Sequence, residues 1–329
     1  MNDESRDLFK KRCQITSAIR RYFESNGFLE VETPILQPIM GGANARPFIT
    51  HHNTLDMSLY LRVATELYLK RLIVGGFDKV FEIGKNFRNE GIDKSHNPEF
   101  TAIEAYQAYA DYNDMMVMTE ELLRYVAKEV LGTTIIKIGE HEIDLSKPFA
   151  KKPMLELVKE HTGVDFLSVN TLEEAKKLAK SLEIDVSKCD SWGTVVAEVF
   201  DEKVEKHLIQ PTFVMDMPKE VTPLAKTHRS NSRLVEQFET YIGGMELTNA
   251  YSELSNPLEQ RERFEEQVKA REAGDEEAQM MDEDFINALE IGFPPTGGWG
   301  MGIDRLAILL TGAVTIRDII AFPTLRKKD

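Results

Sequence analysis

The stretch FEIGKNFRNEGIDKSHNPEFTAIEAY, residues 81–106, predicts an antiparallel hairpin with a polar loop at its tip. Its first arm runs into a turn at Asn89-Glu90-Gly91, and its second arm alternates aromatic residues with alanine, as a returning strand does. The loop between the arms carries an arginine, a histidine and several carboxylates. Charges of both signs on one turn indicate either a charged ligand or internal ion pairs.

The segments around this hairpin predict an α+β fold. Apolar residues near helical spacing predict a helix over residues 5–25, and FLEVETP, residues 28–34, predicts a short strand ended by Pro34. SLYLRVATELYLKRLIVGG starts like a strand and becomes helical after Thr65. QFETYIGGMELTNAYSEL predicts two more strands joined at Gly243-Gly244, and the chain closes with a strand, a glycine loop and a helix.

Residues from about 151 to 233 are rich in Lys, Glu, Ala and Leu and predict a mostly helical insertion. Thr171 and Glu174 match the S/T-x-x-E capping box that starts a helix. No repeat or low-complexity linker interrupts the chain, so residues 1–329 are predicted to form one catalytic domain that contains this insertion.

The composition excludes several classes of protein. With 329 residues, 42% of them hydrophobic, and a formal charge of -15, the chain can bury a sizeable core and does not favour broad binding to nucleic acid. Its charged N-terminus and lack of a long apolar run predict neither a signal peptide nor a membrane span, hence a cytoplasmic location. Cys13 and Cys189 show no disulfide or zinc spacing.

Two arginines are candidate anion ligands. Arg88 ends a predicted strand, where its planar fork suits a carboxylate or a phosphate, although a surface salt bridge to Glu90 explains it equally well. Arg305 lies in the first turn of the helix that follows the four glycines of PPTGGWGMGIDRLAILL. Glycines let a backbone approach a ligand and a helix start favours anions, but a packing turn has the same pattern.

Five glutamates are candidate cation ligands. Glu239 and Glu246 lie on one predicted hairpin, and paired carboxylates beside a polyphosphate are ligands that magnesium prefers. Glu66, Glu104 and Glu253 are each embedded in apolar or aromatic sequence, where a carboxylate is unfavourable to bury without a partner. A bound cation would supply that partner.

Together these segments resemble the catalytic core of the class II aminoacyl-tRNA synthetases, and among them most closely the lysyl-tRNA synthetases. FLEVETP resembles the first signature motif, VFEIGKNFRNEG with HNPEF the second, and GMGIDRL the third, in the family's order. The resemblance covers nearly the whole chain. It implies a six-stranded antiparallel sheet flanked by helices, with ATP bent across it and the amino acid beside the α-phosphate.

The resemblance also implies a role for each candidate residue. Arg88 and Arg305 are the catalytic residues, at the α-phosphate and the γ-phosphate, and Glu239 and Glu246 hold Mg²⁺. The implied ATP-binding residues are Arg88, Glu90, His96, Asn97, Phe100, Glu239, Glu246 and Arg305. The implied lysine-binding residues are Gly42, Glu66, Arg88, Glu104, Tyr106, Asn249, Tyr251 and Glu253.

Physical chemistry independently favours lysine as the amino acid. An acidic pocket built from Glu104 and Glu253 selects a cationic side chain, whereas the aspartyl and asparaginyl relatives bind an anionic or amide side chain that two carboxylates would repel or pair badly. The resemblance implies that Glu66 receives the α-ammonium. It also implies a homodimer, with Pro34 and the preceding helix at the two-fold interface.

The sequence departs from the family in three respects, and the first of them leaves the acceptor open. The core begins almost at Met1, so the N-terminal OB-fold that reads the anticodon is not expected here. Transfer of lysine to tRNA is the first interpretation; a free-standing paralogue that modifies a protein such as elongation factor P is the alternative, and a non-catalytic lysine-binding or regulatory paralogue ranks below both. Thr65 replaces a frequent proline and Met245 a frequent basic residue, and neither is expected to touch a ligand contact.

Overall fold

The computed structural model describes residues 2–324, which contain ten α-helices and thirteen β-strands. The helices are α1 (Asp3–Ser25), α2 (Glu66–Val74), α3 (Tyr112–Leu131), α4 (Met154–Thr162), α5 (Leu172–Ser181), α6 (Trp192–Lys203), α7 (Pro257–Glu272), α8 (Glu283–Gly292), α9 (Ile303–Thr311) and α10 (Ile316–Ile319). The strands are β1 (Leu29–Glu30), β2 (Leu36–Gln37), β3 (Ile49–His52), β4 (Met57–Leu61), β5 (Lys79–Phe87), β6 (Glu99–Ala108), β7 (Ile135–Ile138), β8 (His141–Asp144), β9 (Ala150–Pro153), β10 (Thr212–Met215), β11 (Gln237–Ile242), β12 (Met245–Ser252) and β13 (Thr296–Gly302).

One large sheet organises the chain, in the strand order β1-β5-β6-β13-β12-β11-β10-β9. Its six central strands are all antiparallel, which confirms the predicted α+β fold with a six-stranded antiparallel sheet. The structure adds one short parallel strand at each edge, because β1 pairs with β5 and β9 pairs with β10. Sheets of three strands and of two strands, β2-β4-β3 and β7-β8, lie outside it.

The predicted hairpin is formed by β5 and β6. Lys79 pairs with Gln107 at one end and Phe87 with Glu99 at the other, and the Arg88 amide donates to the Pro98 carbonyl over 2.9 Å to close the loop. A second predicted hairpin, β11-β12, turns at Gly243 and Gly244. Both residues have a positive φ, 67° and 72°, which only glycine adopts without strain.

The glycine-rich segment before Arg305 is a strand, and its prediction as a loop was wrong. Residues Thr296–Gly302 form β13, which lies between β6 and β12 in the middle of the sheet. Glycine weakens an isolated strand, but it is accepted where other groups approach the backbone closely. Glycine has little tendency to form a strand by itself, and here the backbones of β6 and β12 hold β13 in the sheet by pairing with it on both sides.

The predicted helices between about 151 and 233 are α4, α5 and α6, and Thr171 and Glu174 form the expected capping box at the start of α5. The same interval also supplies β10, which had not been predicted and which joins the main sheet. The helices pack on one another around Phe166, Trp192 and Phe200. This helical layer therefore stands at the β9-β10 edge of the sheet.

The two faces of the main sheet carry different cores. On one face α1, α3 and α9 pack on Phe81 and Trp299, with the Phe23 ring centroid 5.2 Å from that of Phe81. On the other face α2 and α8 pack around Phe264 and Phe285. Among the helices of residues 2–324, none combines the length and the apolar composition that crossing a bilayer requires.

Candidate active site

A cavity of about 540 Å³ opens on the face of the sheet opposite α1 and α3. Its walls include every site residue predicted from the sequence except one. The lining residues from that set are Gly42, Glu66, Arg88, Glu90, His96, Asn97, Phe100, Glu104, Tyr106, Glu239, Glu246, Asn249, Tyr251 and Arg305. Glu253 is the exception, since it is completely buried behind the wall.

Strand geometry explains why these side chains meet. Alternate residues of a strand point to the same face, so Glu104 and Tyr106 of β6 share a face, as do Asn249 and Tyr251 of β12. The strand between them is β13, where Gly298 pairs with both tyrosines and Gly300 with Glu104 and Asn249. Because β13 contributes no side chains at these two positions, the neighbouring side chains project over an open floor.

One end of the cavity is acidic. The Glu66 side chain accepts a hydrogen bond from Tyr251 over 2.7 Å, and Glu104 accepts one from Tyr106 over 3.1 Å and one from the Thr65 amide over 3.1 Å. Burial, together with the charge of the nearby Glu66, raises the pKa of Glu104 to about 7 against the effect of these hydrogen bonds. A cation bound beside Glu104 would therefore favour its ionised form.

Glu253 lies at the base of this acidic end. Its Oε1 atom is buried and accepts no hydrogen bond from the residues that the structure describes. A Cβ atom added to Gly298, which lines the cavity, would stand 1.7 Å from that oxygen. Burial raises the pKa of Glu253 well above its usual range. A hydrogen-bond donor entering from the cavity would satisfy this oxygen and stabilise its charge.

Lys70 is a member of this cluster that the sequence did not reveal. It is 0% exposed, its Nζ lies 2.5 Å from Glu66 Oε1, and it forms an ion pair with Glu253. In LYLKRL the residue has the pattern of a solvent-exposed lysine on an amphipathic helix, and nothing local indicates its burial. Gly42 completes this end, because a Cβ there would lie 3.3 Å from that of Glu66, and its positive φ of 89° requires glycine.

Thr65 contradicts its sequence-based interpretation. It was expected to touch no ligand contact, yet its backbone amide donates to Glu104, a predicted lysine ligand. A proline, which is frequent at this position in the family that the sequence resembles, has no N–H to donate. The contact is made by the backbone N–H of Thr65, and the side-chain types in the sequence therefore do not indicate it. Met245 packs against the main core.

The centre of the cavity holds a cation that has no ion-pair partner among the described residues. The Arg88 guanidinium lies over the Phe100 ring, 5.1 Å from its centroid, and its buried Nε has no hydrogen-bond partner among residues 2–324. The alternative salt bridge to Glu90 does not form, because Glu90 acts on Arg88 only through its charge and is itself exposed. Burial lowers the pKa of Arg88, so an anion bound here would gain a strong partner.

Arg305 stands at the opposite end from the acidic cluster. Its Nη1 donates to the carbonyl and to Oε2 of Glu246 over 2.8 and 2.9 Å, and its Nη2 lies 3.1 Å from His96 Nε2. His96 is in turn held by Asp93, whose pKa is about 2 because two backbone amides and His96 outweigh the effect of burial. Asn97 has a buried Oδ1 atom without a partner among the described residues.

A buried ion pair fixes the helix that presents Arg305. Asp304 is 1% exposed and accepts hydrogen bonds from Arg12 of α1 over 2.6 Å and from the Thr101 amide of β6 over 2.7 Å. The start of α9 is thereby tied to the first helix and to the hairpin strand that carries Glu104. The position of Arg305 relative to Arg88 consequently depends on three separate segments of the chain.

Glu239 and Glu246 lie between the arginines and α6. Burial and the charge of Glu246 raise the pKa of Glu239 to about 8, although Tyr241 donates to it over 2.8 Å. Asp201 of α6, which the sequence did not single out, lines the same wall, and burial raises its pKa to about 7. Carboxylates that repel one another beside a cavity fit a divalent cation, which prefers oxygen ligands of this kind.

The arrangement places an acidic pocket, the guanidinium of Arg88 and the end that contains Arg305, Glu239 and Glu246 along one cavity. The first can hold an ammonium group, the second a carboxylate or phosphate, and the third further phosphates with a metal ion. One ligand that carries both an ammonium group and a carboxylate, and another that carries a polyphosphate, would therefore meet at Arg88.

Comparison with known proteins agrees with this geometry. A family model described as tRNA synthetases class II (D, K and N) matches residues 1–326. The chain is 58% identical over 330 residues to a lysine–tRNA ligase of Clostridium novyi, covering 99% of this chain and 64% of that protein. It is 60% identical over 327 residues to one of Nostoc punctiforme, covering 99% and 58%, and 56% identical over 329 residues to one of Carboxydothermus hydrogenoformans, covering 100% and 67%. The chain thus spans about three fifths to two thirds of these curated relatives.

Proposed function

We infer that this chain, which belongs to the class II tRNA synthetases (D, K and N), activates L-lysine with ATP and transfers the lysyl group to tRNA. The lysine–tRNA ligases to which it is 56–60% identical support this choice of amino acid and acceptor. The observation that carries the proposal is the acidic end of the cavity. Glu66 and Glu253 are buried there, Glu104 is partly buried beside them, and Glu253 Oε1 lacks a donor among the described residues.

The acidic end fits a ligand with two ammonium groups. Glu66 lies beside Gly42 and Arg88 lines the same cavity, so we assign Glu66 to the α-ammonium and Arg88 to the carboxylate. Glu104 and Glu253 then receive the ε-ammonium, with Tyr251 along the alkyl chain. An aspartate side chain would place a third carboxylate against these two, which strongly disfavours it.

The first reaction follows from the order of groups along the cavity. A carboxylate oxygen of lysine attacks the α-phosphorus of ATP, the bond from that phosphorus to the bridging oxygen breaks, and pyrophosphate leaves with the electron pair. Arg88 stabilises the charge on the α-phosphate, and Arg305 with His96 binds the γ-phosphate. Phe100 and Asn97 hold the adenine, and Glu90 is the remaining contact to ATP. The residues act by positioning and charge neutralisation, without a protein nucleophile.

The residues that would hold Mg²⁺ are Glu239 and Glu246. Bound there, Mg²⁺ neutralises part of the charge on the phosphates. Before ATP arrives, Glu246 is the ion-pair partner of Arg305. The same carboxylate therefore keeps Arg305 oriented in the free protein, and the γ-phosphate takes its place as the partner of Arg305.

In the second reaction a ribose hydroxyl at the acceptor end of tRNA attacks the carbonyl carbon of lysyl-adenylate, and AMP leaves. Since tRNA is charged where ribosomes use it, we also propose a cytoplasmic location, which cell fractionation would test. The alternative acceptor, a lysine side chain of a protein, would attack the same carbonyl carbon. The cavity chemistry is common to both acceptors, so the acceptor is decided by experiment.

The proposal predicts ATP–pyrophosphate exchange that depends on L-lysine and not on aspartate or asparagine. After exchange is established, the same preparation is offered radiolabelled lysine with total tRNA or with protein acceptors. Label in the acid-insoluble, ribonuclease-sensitive fraction supports tRNA; label that survives ribonuclease transfers the proposal to a protein acceptor. Exchange with aspartate in place of lysine would overturn the assignment of the pocket.

We further propose a homodimer formed through the segment around Pro34. Leu29, Ile35, Leu36 and Ile49 are between 44% and 63% exposed on this side of the chain. Apolar side chains grouped in this way are a common feature of protein interfaces. Light scattering at a mass of two chains is expected, and the mass of one chain at micromolar concentration would contradict the proposal.

Lysine affinity is expected to depend on pH through Glu104. A protonated carboxyl pairs poorly with an ammonium group, so kcat/KM for lysine falls as the pH decreases through the pKa of about 7. Replacing Thr65 with proline removes the amide that donates to Glu104 and so raises this pKa. The midpoint of the profile is then expected to move up by about one pH unit, since a hydrogen bond to a charged group contributes about 1.5–3 kcal/mol.

The matched control is Thr65→Ala, which keeps the backbone amide. The Thr65 hydroxyl also lowers the pKa of Glu104, but by less than the amide does, so this change should move the midpoint up by less than the change to proline. Thr65 is the N-cap residue of α2, so its amide takes no part in the hydrogen bonds of the helix and proline there removes none of them. If both variants titrate like the wild type, the Thr65 amide does not set the pKa of Glu104.

A further inference from the structure

Lys70 is the only buried lysine among residues 2–324, and it lies between two of the acids of the cavity. Its Nζ is 2.5 Å from Glu66 Oε1 and also pairs with Glu253 Oε2. Since Lys70 and Glu66 are four residues apart on α2, they lie on the same face of one helix. Glu253 reaches the same point from the end of β12. Lys70 therefore joins the two segments that form the acidic end.

The charges at this end do not cancel. Glu66, Glu104 and Glu253 are three potential carboxylates, and Lys70 is the one cation that pairs with any of them among the described residues. The tyrosines that contact them, Tyr106 and Tyr251, are neutral because burial raises the pKa of each well above its usual range. With all three acids ionised, two net negative charges remain, and free lysine carries two ammonium groups.

We propose that Lys70 is a positioning residue that acts as the internal counter-cation of the lysine pocket, balancing one of its three carboxylates so that the other two charges match the two ammonium groups of one substrate. This inference rests on the proposed function. Lys70 does not touch the substrate. It holds Glu66 and Glu253 in place and sets the total charge that the substrate meets.

A purely structural role explains the observations less well. A buried ion pair is often no more stabilising than apolar residues of the same volume, and the Lys70 side chain already lies among apolar rings. Its Nζ is 5.8 Å from the Phe285 ring centroid and 5.6 Å from that of Tyr251. Burial alone would lower the pKa of Lys70, but Glu253 and Glu66 outweigh it, so the side chain is charged.

The test compares three proteins by isothermal titration with L-lysine: wild type, Glu253→Gln, and the double variant Lys70→Met with Glu253→Gln. Glu253→Gln leaves one net negative charge for two ammonium groups, and its Kd is expected to rise about 100-fold, as for other buried charge pairs that lose a partner. Removing Lys70 as well restores two net negative charges. The double variant is expected to bind lysine at least about tenfold more tightly than Glu253→Gln.

A structural role predicts the opposite order, because two damaging substitutions would then weaken binding together. A double variant that binds lysine no better than Glu253→Gln therefore overturns the proposal. Lys70→Met alone strands two acids and can fail to fold, but the double variant removes the cation and one acid together and keeps the test decisive.

The control is Arg71→Met combined with Glu253→Gln. Arg71 is the next residue of α2, and its cation pairs with Asp282 outside the cluster, over 2.6 Å. This variant should bind lysine no more tightly than Glu253→Gln. If it recovered as much affinity as the double variant with Lys70→Met, the proposal would be overturned, because the loss of any nearby cation would then restore binding. If the wild type itself gives no heat with lysine, the proposed function fails and this inference fails with it. If the wild type binds and only the recovery is absent, the proposed function stands.

Discussion

The Arg88→Met variant is expected to lose about 100- to 1,000-fold of the wild-type kcat/KM in lysine-dependent ATP–pyrophosphate exchange, as enzymes do when a donor to transition-state charge is removed. Arg88 is the guanidinium at the centre of the cavity that has no ion-pair partner among residues 2–324, and its buried Nε donates no hydrogen bond to them. Since both the lysine carboxylate and the α-phosphate are assigned to it, its loss removes charge neutralisation at the reacting atoms. Arg88→Lys should recover little, because a single ammonium cannot contact two anions as a planar fork can.

The matched control for Arg88 is Arg233→Met. Arg233 also stacks on an aromatic ring, 3.7 Å from the centroid of Trp192, but it does not line the cavity. Its replacement should change the exchange rate by less than about twofold while removing a comparable cation–π contact. Exchange within tenfold of wild type in Arg88→Met would mean that Arg88 does not stabilise the reacting groups, whatever its burial.

Glu253→Gln is expected to abolish the preference for lysine. Norleucine is lysine without its ε-ammonium, and a site that pairs this group with a buried carboxylate rejects norleucine strongly. The introduced glutamine presents an amide of the same shape without the charge, so the ratio of kcat/KM for lysine over norleucine should fall by about 100-fold. The ATP dependence should change little, because Glu253 lies away from the arginines and from Glu239.

Glu236→Gln is the control for this substitution. Glu236 is also a fully buried glutamate, but its partner is Arg229, 2.6 Å away, and it does not line the cavity. Its replacement should lower the free energy of unfolding without altering the ratio of lysine to norleucine. A Glu253→Gln variant that keeps the wild-type ratio would remove Glu253 from the ammonium pocket.

The elements that the sequence predicted are those set by local patterns. The helix α1, the hairpin β5-β6 and the turn at Gly243-Gly244 follow from spacing within a few residues, and all three are confirmed. Of the two parallel edge strands, β1 lies within the predicted strand FLEVETP, but its parallel pairing with β5 was not predicted, and β9 was not predicted at all. Each is short, and each pairs with a strand about 50 or more residues away, so its pairing depends on the completed sheet rather than on its own composition.

Two features of the site could not be derived from a linear pattern. The run of glycines in β13 was taken as a loop because glycine is unfavourable within a strand, and only the side chains of β6 and β12 on either side explain it. Lys70 lies in sequence typical of an exposed helix, and its burial depends on Glu253, which is far away in sequence. The structure brings the remaining predicted site residues around one cavity, while their individual roles stay predictions.

The register of β13 has a consequence for how the protein folds. Gly298 pairs with Tyr106, about 190 residues earlier in the chain, so this strand can join the sheet only after both halves have been synthesised. A glycine-rich strand has little order of its own and depends on β6 and β12 as a template. Until β13 is in place, Glu253 in the C-terminal half of the chain is not held beside Glu66 and Lys70 in the N-terminal half. Recognition of the amino acid therefore appears late in folding, and a nascent or nicked chain with most of its helices formed would still be unable to select its substrate.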